Sequence, residues 1–265
     1  WNDGEGTNRP DSIQFAIQYR EKDSNDEWQY WGERQYTLTE EDIIKDAEGD
    51  YISWAKEIKN LPIGNEYQIV EVNVADNYNS VVTPDGNTFT ITNTLKWSLK
   101  KTNLPESTEQ AIPLTGATFD LKNNKNQIIA QGESGEDGYV TWTLTETGKE
   151  ENINLQNLDG EYTLVETKAP TGYQKLDTAS WKLTFQKGLL TQAVGAENDF
   201  SVYISATEDA QKGMVVTLKN DLLYGLPETG GPGVHWYTLS GTLLMAGAAL
   251  IVYRQKRKRE VLLRK

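Results

Sequence analysis

Gly160-Glu161-Tyr162-Thr163-Leu164-Val165-Glu166-Thr167-Lys168 sets large apolar side chains at alternate positions, Tyr162 and Leu164, and then a carboxylate, Glu166, where the next one is due. Alternation is the period of a strand with one face buried. The segment therefore predicts a half-buried β-strand with an ionisable group on its apolar face. A buried charge is costly unless it is paired or neutralised. Glu166 is the first residue that packing alone does not account for.

The same spacing occurs earlier, in Tyr67-Gln68-Ile69-Val70-Glu71. Each copy is followed at a distance by a β-rich run that closes on asparagine: Phe89-Thr90-Ile91-Thr92-Asn93, and Val215-Val216-Thr217-Leu218-Lys219-Asn220. This imperfect repeat divides the chain in two, with a boundary near Thr94 and Leu95. Alternation recurs at Ile13, Phe15, Ile17 and Tyr19, at Ala117, Phe119 and Leu121, at Val140, Trp142 and Leu144, and at Ala179, Trp181, Leu183 and Phe185. Turn signals such as Pro84-Asp85-Gly86-Asn87 and Glu136-Asp137-Gly138 separate the runs. One short helix is expected after Thr39, where Thr39 and Asp42 are spaced for a capping box. Many short strands with frequent turns predict an all-β chain of two tandem sandwiches, residues 1–94 and 95–223, joined too closely for a flexible tether.

Strand parity selects the chemistry. It groups Trp97, Leu99 and Lys101 on one face, Leu164 with Glu166, and Leu218 with Asn220. If Lys101, Glu166 and Asn220 meet in a dry core, desolvation favours the neutral amine and the neutral carboxyl. A neutral amine attacks a carboxamide carbon, a protonated carboxyl polarises the carbonyl, and fixed juxtaposition supplies a high effective molarity. The product is a Lys–Asn amide with loss of ammonia. The alternative is a strand-end lysine and asparagine turned to solvent, with Glu166 in an ordinary hydrogen bond. Adjacent Lys100 is the other register. In the first half Glu71 and Asn93 hold the matching parity without a lysine partner.

The 265 residues contain no cysteine and one histidine, His235. Thiol nucleophiles, Ser-His-Asp triads and multi-histidine zinc sites are thereby excluded from the β-rich part, and neither an enzyme nor a cofactor is expected. The formal charge is −13. From Arg254 onward seven basic residues face Glu260 alone, so the tail carries +6 and residues 1–253 carry −19. Such acidity argues against nucleic acid as a partner. The run 2–8 is acidic enough to suggest calcium but lacks EF-hand spacing, and a turn is the simpler reading. Trp28, Tyr30 and Trp31 are candidates for a glycan-facing surface or for ordinary packing.

Residues 236–253 form the one strongly apolar run. As a helix its 18 residues span about 27 Å, close to a hydrocarbon core of roughly 30 Å. The basic cluster after it sets the C-terminus in the cytoplasm and the remainder outside. Export needs a targeting signal; Trp1 begins the chain without one, so a longer precursor is expected. Leu226-Pro227-Glu228-Thr229-Gly230 stands just ahead of the apolar run.

Three resemblances follow from these residues. The segments 113–121 and 160–173 resemble the hallmarks of SpaA-type pilin domains, a branch of Cna-B-like, Ig-like sandwiches that form intramolecular isopeptide bonds. That likeness implies Lys101 as nucleophile, Glu166 as the E-box glutamate and Asn220 as acceptor. Residues 1–94 resemble a Cna B-type repeat through Trp1-Asn2-Asp3-Gly4, residues 9–13 and 60–62, residues 67–71 and Ile91-Thr92-Asn93-Thr94. The lysine of that family stands shortly before the tryptophan that Trp1 matches. Leu226 to Gly230, the apolar run and the basic tail, in that order, resemble an LPXTG sorting signal over 224–265. That resemblance implies attack on the Thr229 carbonyl by a sortase cysteine, release from Gly230 onward, and transfer to a peptidoglycan precursor or another pilin subunit. A single-span membrane protein with a chance pentapeptide is the alternative.

Together these readings predict a structural stalk at the Gram-positive cell surface, anchored in the wall after insertion in the membrane. An adhesin whose sandwiches bind a host matrix protein or glycan is the second reading. A polymerising shaft subunit is disfavoured, because no lysine-containing YPKN-type pilin motif is present.

Overall fold

The computed structural model describes residues 1–4, 8–33, 35–45, 51–104, 109–175, 180–195 and 203–223, together with Met245 and Arg254. The chain divides into two units, Trp1–Leu222 and Leu223–Lys265. The motif at 226–230 lies outside the described residues, as does the helix expected at 236–253 apart from Met245. Among the described residues no helix is long and apolar enough to cross a membrane.

The larger unit is nearly all β. Its first half contains β1 (Ser12–Glu21), β2 (Gln29–Tyr30), β3 (Tyr36–Thr39), β4 (Ile43–Lys45), β5 (Tyr51–Trp54), β6 (Asn65–Val72), β7 (Tyr78–Asp85) and β8 (Thr88–Leu95). β1 pairs antiparallel with β6 from Gln14↔Val72 to Glu21↔Asn65, and β3 and β2 follow one another along its other edge. The alternation at Ile13, Phe15 and Ile17 buries all three against Leu38, with Trp1, Trp54, Tyr67, Ile69 and Ile91 packed around them. β7 and β8 form a separate hairpin whose two-residue turn has Gly86 at φ 59°, the left-handed conformation that such turns require. Beside β8, Asn2 makes a parallel bridge to Thr94: Asn2 N–H donates to Asn93 O at 2.8 Å, and Leu95 N–H donates to Asn2 O at 3.0 Å.

The structure turns the helix expected after Thr39 into a single 3-10 turn, Glu40–Asp42. The cap is present, with Thr39 N–H donating to Asp42 Oδ2 at 3.0 Å and Glu41 N–H to Thr39 Oγ1 at 3.3 Å. β4 begins at once, because Ile43 and Ile44 are β-branched and pair with Trp54 and Ser53.

The second half contains β9 (Trp97–Asn103), β10 (Thr118–Lys122), β11 (Ile128–Ser134), β12 (Val140–Leu144), helix α1 (Glu146–Glu150), β13 (Gly160–Lys168), β14 (Ser180–Gln186), β15 (Leu189–Gly195), β16 (Ile204–Asp209) and β17 (Gly213–Asn220). A six-stranded sheet, in the order β12-β11-β10-β13-β14-β15, faces a three-stranded sheet, β16-β17-β9. Their inner faces close on Leu99, Phe119, Leu121, Leu164, Trp181, Leu183, Phe185, Val216 and Leu218. Each fully buried side chain of this size contributes about 1.5–3 kcal/mol. The short α1 is capped by Thr145 Oγ1, which accepts from Gly148 N–H at 3.2 Å. Gly148 is also where the helix meets β11: a Cβ there would stand 2.1 Å from Ile129 O.

The two halves are bonded around Lys96, the residue between β8 and β9. Lys96 N–H donates to Asn77 O at 2.9 Å, and Met214 N–H donates to Lys96 O at 2.8 Å. Asn2 Nδ2 reaches Lys187 O at 2.9 Å, and Asn8 Nδ2 reaches Glu208 Oε1 at 2.9 Å.

Candidate functional site

β9 lies parallel to β17, with Leu218↔Lys101 and Asn220↔Asn103 in register. The parity that buries Trp97 and Leu99 carries Lys101 to the same interior. The parity of Val216 and Leu218 does the same for Asn220. Glu166 arrives from the opposing sheet, on β13, opposite Phe119 of β10. Lys101 and Asn220 have no exposed surface and Glu166 retains 2%.

The three side chains are in mutual contact. Lys101 Nζ donates to Asn220 Oδ1 and stands 3.0 Å from Glu166 Oε1. Asn220 Nδ2 donates to Glu166 Oε2 at 3.0 Å and to Gln174 O at 3.0 Å. Glu166 thus touches both the amine and the nitrogen that would leave. The backbone holds these positions: Lys101 N–H donates to Gly138 O at 2.8 Å, Leu114 N–H to Lys101 O at 2.9 Å, and Leu104 N–H to Asn220 O at 2.9 Å.

Burial pushes the Lys101 ammonium below its ordinary pKa, against the opposing pull of the Glu166 carboxylate. The neutral amine is the nucleophile, so this shift is in the productive direction. A carboxyl between amine and carboxamide can take the proton that the amine sheds and deliver it to departing ammonia. Lys100, the alternative register, points elsewhere; its ammonium lies 5.0 Å above the Tyr139 ring.

In the first half Glu71 and Asn93 also meet. Asn93 Nδ2 donates to Glu71 Oε1 at 2.9 Å, and Ser80 Oγ donates to Glu71 Oε2. Asn93 is 2% exposed, and its Oδ1 has no hydrogen-bond partner. The corresponding atom of Asn220 takes the Lys101 ammonium. Two polar partners escaped the sequence reading, Ser80 and the Gln174 carbonyl. Ser80 is set by its register with Asn93 across the hairpin, which no local pattern displays.

The weaker candidates resolve as packing or as surface. Asp3 is a buried ion-pair partner: Arg9 Nη2 lies 2.6 Å from its Oδ1, and Tyr78 Oη donates to Oδ2 at 2.8 Å. Trp31 packs against the first core, Trp28 lies under the Arg20 guanidinium at 4.5 Å, and Tyr30 is half exposed.

Residues 96–199 match the family described as "SpaA: Prealbumin-like fold domain". The chain is 32% identical over 98 residues to "Fimbrial subunit type 1" of Actinomyces viscosus, a stretch that is 37% of this chain and 15% of the length of that relative. Among the solved structures that are similar are two from pilus proteins. The C-terminal fragment of pilus adhesin SpaC from Lactobacillus rhamnosus GG is 16% identical, with 82% of this chain and 92% of that one covered and a TM-score of 0.33. GBS52, the minor pilin of Streptococcus agalactiae, is 14% identical, with 83% and 86% covered and a TM-score of 0.27. Most of the second half of the larger unit is thus similar to a SpaA prealbumin-like domain.

Proposed function

We propose that this chain is a structural, non-enzymatic portion of a Gram-positive surface or pilus protein, and that its second sandwich is locked by an amide bond between Lys101 and Asn220. The observation that carries this reading is the dry contact of Lys101, Glu166 and Asn220. The family match over 96–199, which includes Lys101 and Glu166, supports a pilin-type role. In the reaction the Lys101 Nζ–Asn220 Cγ bond forms and the Cγ–Nδ2 bond breaks. Ammonia leaves with a proton relayed by Glu166, which ends as it began. No external reagent is consumed.

The sequence Leu226-Pro227-Glu228-Thr229-Gly230, ahead of an apolar run and a basic tail, extends the proposal to its ends. The precursor sits in the membrane with its C-terminus inside. A sortase cleaves after Thr229 and joins that residue to a peptidoglycan precursor or to another subunit.

Intact-mass measurement of the purified chain tests the lock. The folded protein should weigh one ammonia less than its sequence, and Glu166→Ala should restore the full mass. Glu166→Asp, which keeps the carboxyl, guards against a variant that merely misfolds; it should react slowly. A full-mass wild-type chain with native near-UV dichroism would overturn the bond.

A further inference from the structure

Asn220 is held by more than Lys101 and Glu166. A carboxamide nitrogen carries two N–H groups, and both are engaged: Nδ2 donates to Glu166 Oε2 at 3.0 Å and to the main-chain carbonyl of Gln174 at 3.0 Å. The first acceptor belongs to the proton relay proposed above. The second has no proton to exchange and no rotamer to change. With both N–H groups directed at acceptors, Oδ1 is left facing Lys101 Nζ. A flipped carboxamide would turn its oxygen upon two acceptors and its nitrogen upon the lysine.

The segment that follows β13 brings this carbonyl in. Pro170 to Tyr173 form a type II turn: Tyr173 N–H donates to Pro170 O at 3.1 Å, and Gly172 takes φ 87° at the position that requires it. Tyr173 then bridges antiparallel to Leu222, and Gln174 N–H donates to Asp221 O at 2.9 Å. Gln174 therefore grips two consecutive residues at the end of β17, the Asp221 main chain through its N–H and the Asn220 side chain through its carbonyl. Asp221 is fixed in turn by Tyr203 Oη, which donates to its Oδ2 at 2.9 Å. Gln174 itself is exposed, so what it offers the interior is main chain.

We propose that the Gln174 carbonyl is a further catalytic group of the Lys101–Asn220 reaction, which fixes the carboxamide for attack and stabilises its nitrogen as it departs. The assignment rests on the amide bond proposed above. As Lys101 Nζ bonds to Asn220 Cγ, Nδ2 loses its conjugation with the carbonyl and becomes basic. It takes, through Glu166, the proton that the amine sheds; the Cγ–Nδ2 bond breaks and ammonia leaves. Positive charge gathers on Nδ2 along this path, and a hydrogen bond from a charged donor is about twice as strong as a neutral one. An acceptor already standing 3.0 Å from Nδ2 thus binds the transition state more tightly than the ground state, which is what accelerates a reaction. Glu166 changes its protonation state during the relay. The Gln174 carbonyl does not, so one acceptor stays on the nitrogen throughout.

The test weakens that carbonyl alone, by replacing the peptide bond between Gln174 and Lys175 with an ester. The full chain is ligated in guanidinium from segments 1–168, 169–178 and 179–265, joined at Ala169 and Ala179, so that Lys101 and Asn220 first meet on refolding. An ester carbonyl is a weaker acceptor than an amide carbonyl, and the Gln174 N–H that donates to Asp221 is retained. Refolded chains are followed by intact mass at a series of pH values, beside the all-amide chain and Gln174→Ala made in the same way. The plateau rate of ammonia loss in the ester chain should fall on the order of 10-fold, with the midpoint of its pH profile unmoved. Gln174→Ala, which keeps the carbonyl, should react as the all-amide chain does. A merely structural loosening would instead hydrate Lys101 and move the midpoint to higher pH. An ester chain that reacts at the all-amide rate, a moved midpoint with the plateau kept, or equal slowing by Gln174→Ala would each overturn the assignment and leave the bond standing. An all-amide chain that folds and keeps its full mass would overturn the bond and the assignment with it.

Discussion

Lys101 and Asn220 are 119 positions apart in the chain, yet the ammonium of one donates to the carboxamide of the other across adjacent parallel strands. A covalent link there closes nearly the whole second sandwich into one loop. By analogy with a disulfide over that length, the unfolded chain is destabilised by roughly 5 kcal/mol. Glu166→Ala, which leaves the strands in place but blocks the reaction, should lower Tm by about 10–20 °C. Scanning calorimetry beside intact mass checks this, and an unchanged Tm in an unreacted variant would count against the lock.

The reaction should depend on pH through Lys101. Its folded pKa lies below the ordinary 10.5, so the neutral amine is gained as pH rises through that lowered value. Ammonia release after refolding should therefore accelerate toward alkaline pH and level off before 10.5. In the unreacted Asn220→Ala variant the sign for stability is the same. Stability is greatest above the unfolded value and is lost as pH falls from there to the folded one, because the folded state resists holding a charge in a dry core. Urea titrations of Asn220→Ala with and without Lys101→Met isolate this dependence; parallel curves would contradict it.

Gly138 has φ 78°, and a Cβ on it would stand 2.5 Å from Lys101 O. Gly138→Ala combines left-handed strain with displacement of the strand that carries Lys101, and should cost about 2–4 kcal/mol. Gly172, at φ 87° with nothing within 4 Å of where its Cβ would stand, supplies the control. Gly172→Ala should cost about 1–2 kcal/mol, the strain alone. Equal denaturation midpoints for the two would show that the contact at Gly138 is easily relieved.

Asp3 makes the first sandwich sensitive to acid. Burial pushes its carboxyl up, but the hydrogen bonds from Arg9 and Tyr78 outweigh that and hold it below the ordinary 3.8. Its contribution is complete above pH 3.8 and is lost as pH falls through the lowered folded value. Asp3→Ala, which leaves the Tyr78 hydroxyl without this acceptor, should cost about 1–3 kcal/mol at neutral pH. Its acid unfolding should also begin from a flatter baseline than wild type. Tryptophan fluorescence is a direct readout, since Trp1 packs against the Tyr78 ring at 4.9 Å.

At the other end of the chain, protein released from walls of a sortase-positive host by muramidase should end at Thr229, linked to a cell-wall peptide or to a subunit lysine. Intact chain through Lys265 recovered from the membranes of that host would exclude processing at this motif.

The strands and the site differ in how plainly the sequence displays them. Trp181, Leu183 and Phe185 announce their strand because one face meets the core and the other solvent. Lys101, Glu166 and Asn220 are visible for the same reason: each occupies a position that the alternation reserves for an apolar group. Their convergence is not a local property. It depends on β9 pairing with β17, and on the opposing sheet bringing β13 across the core. Asp3 is obscured by neighbouring acidic and glycine residues that read as a turn, while its partner Tyr78 stands 75 positions away. Helix α1 lies outside the sequence expectations: its five residues include Gly148, a poor helix former that is there to admit the backbone of β11.

The parallel arrangement of β9 and β17 also has a mechanical meaning. The chain enters the second sandwich at the start of β9 and leaves it at the end of β17, so a pull on the two ends draws neighbouring strands lengthwise past each other. Every ladder bond between Trp97–Met214 and Asn103–Asn220 then bears the load together, in shear. An antiparallel pair pulled from one end would surrender its bonds one at a time. Resistance to traction is thus built into the order of the strands, before any covalent chemistry is added.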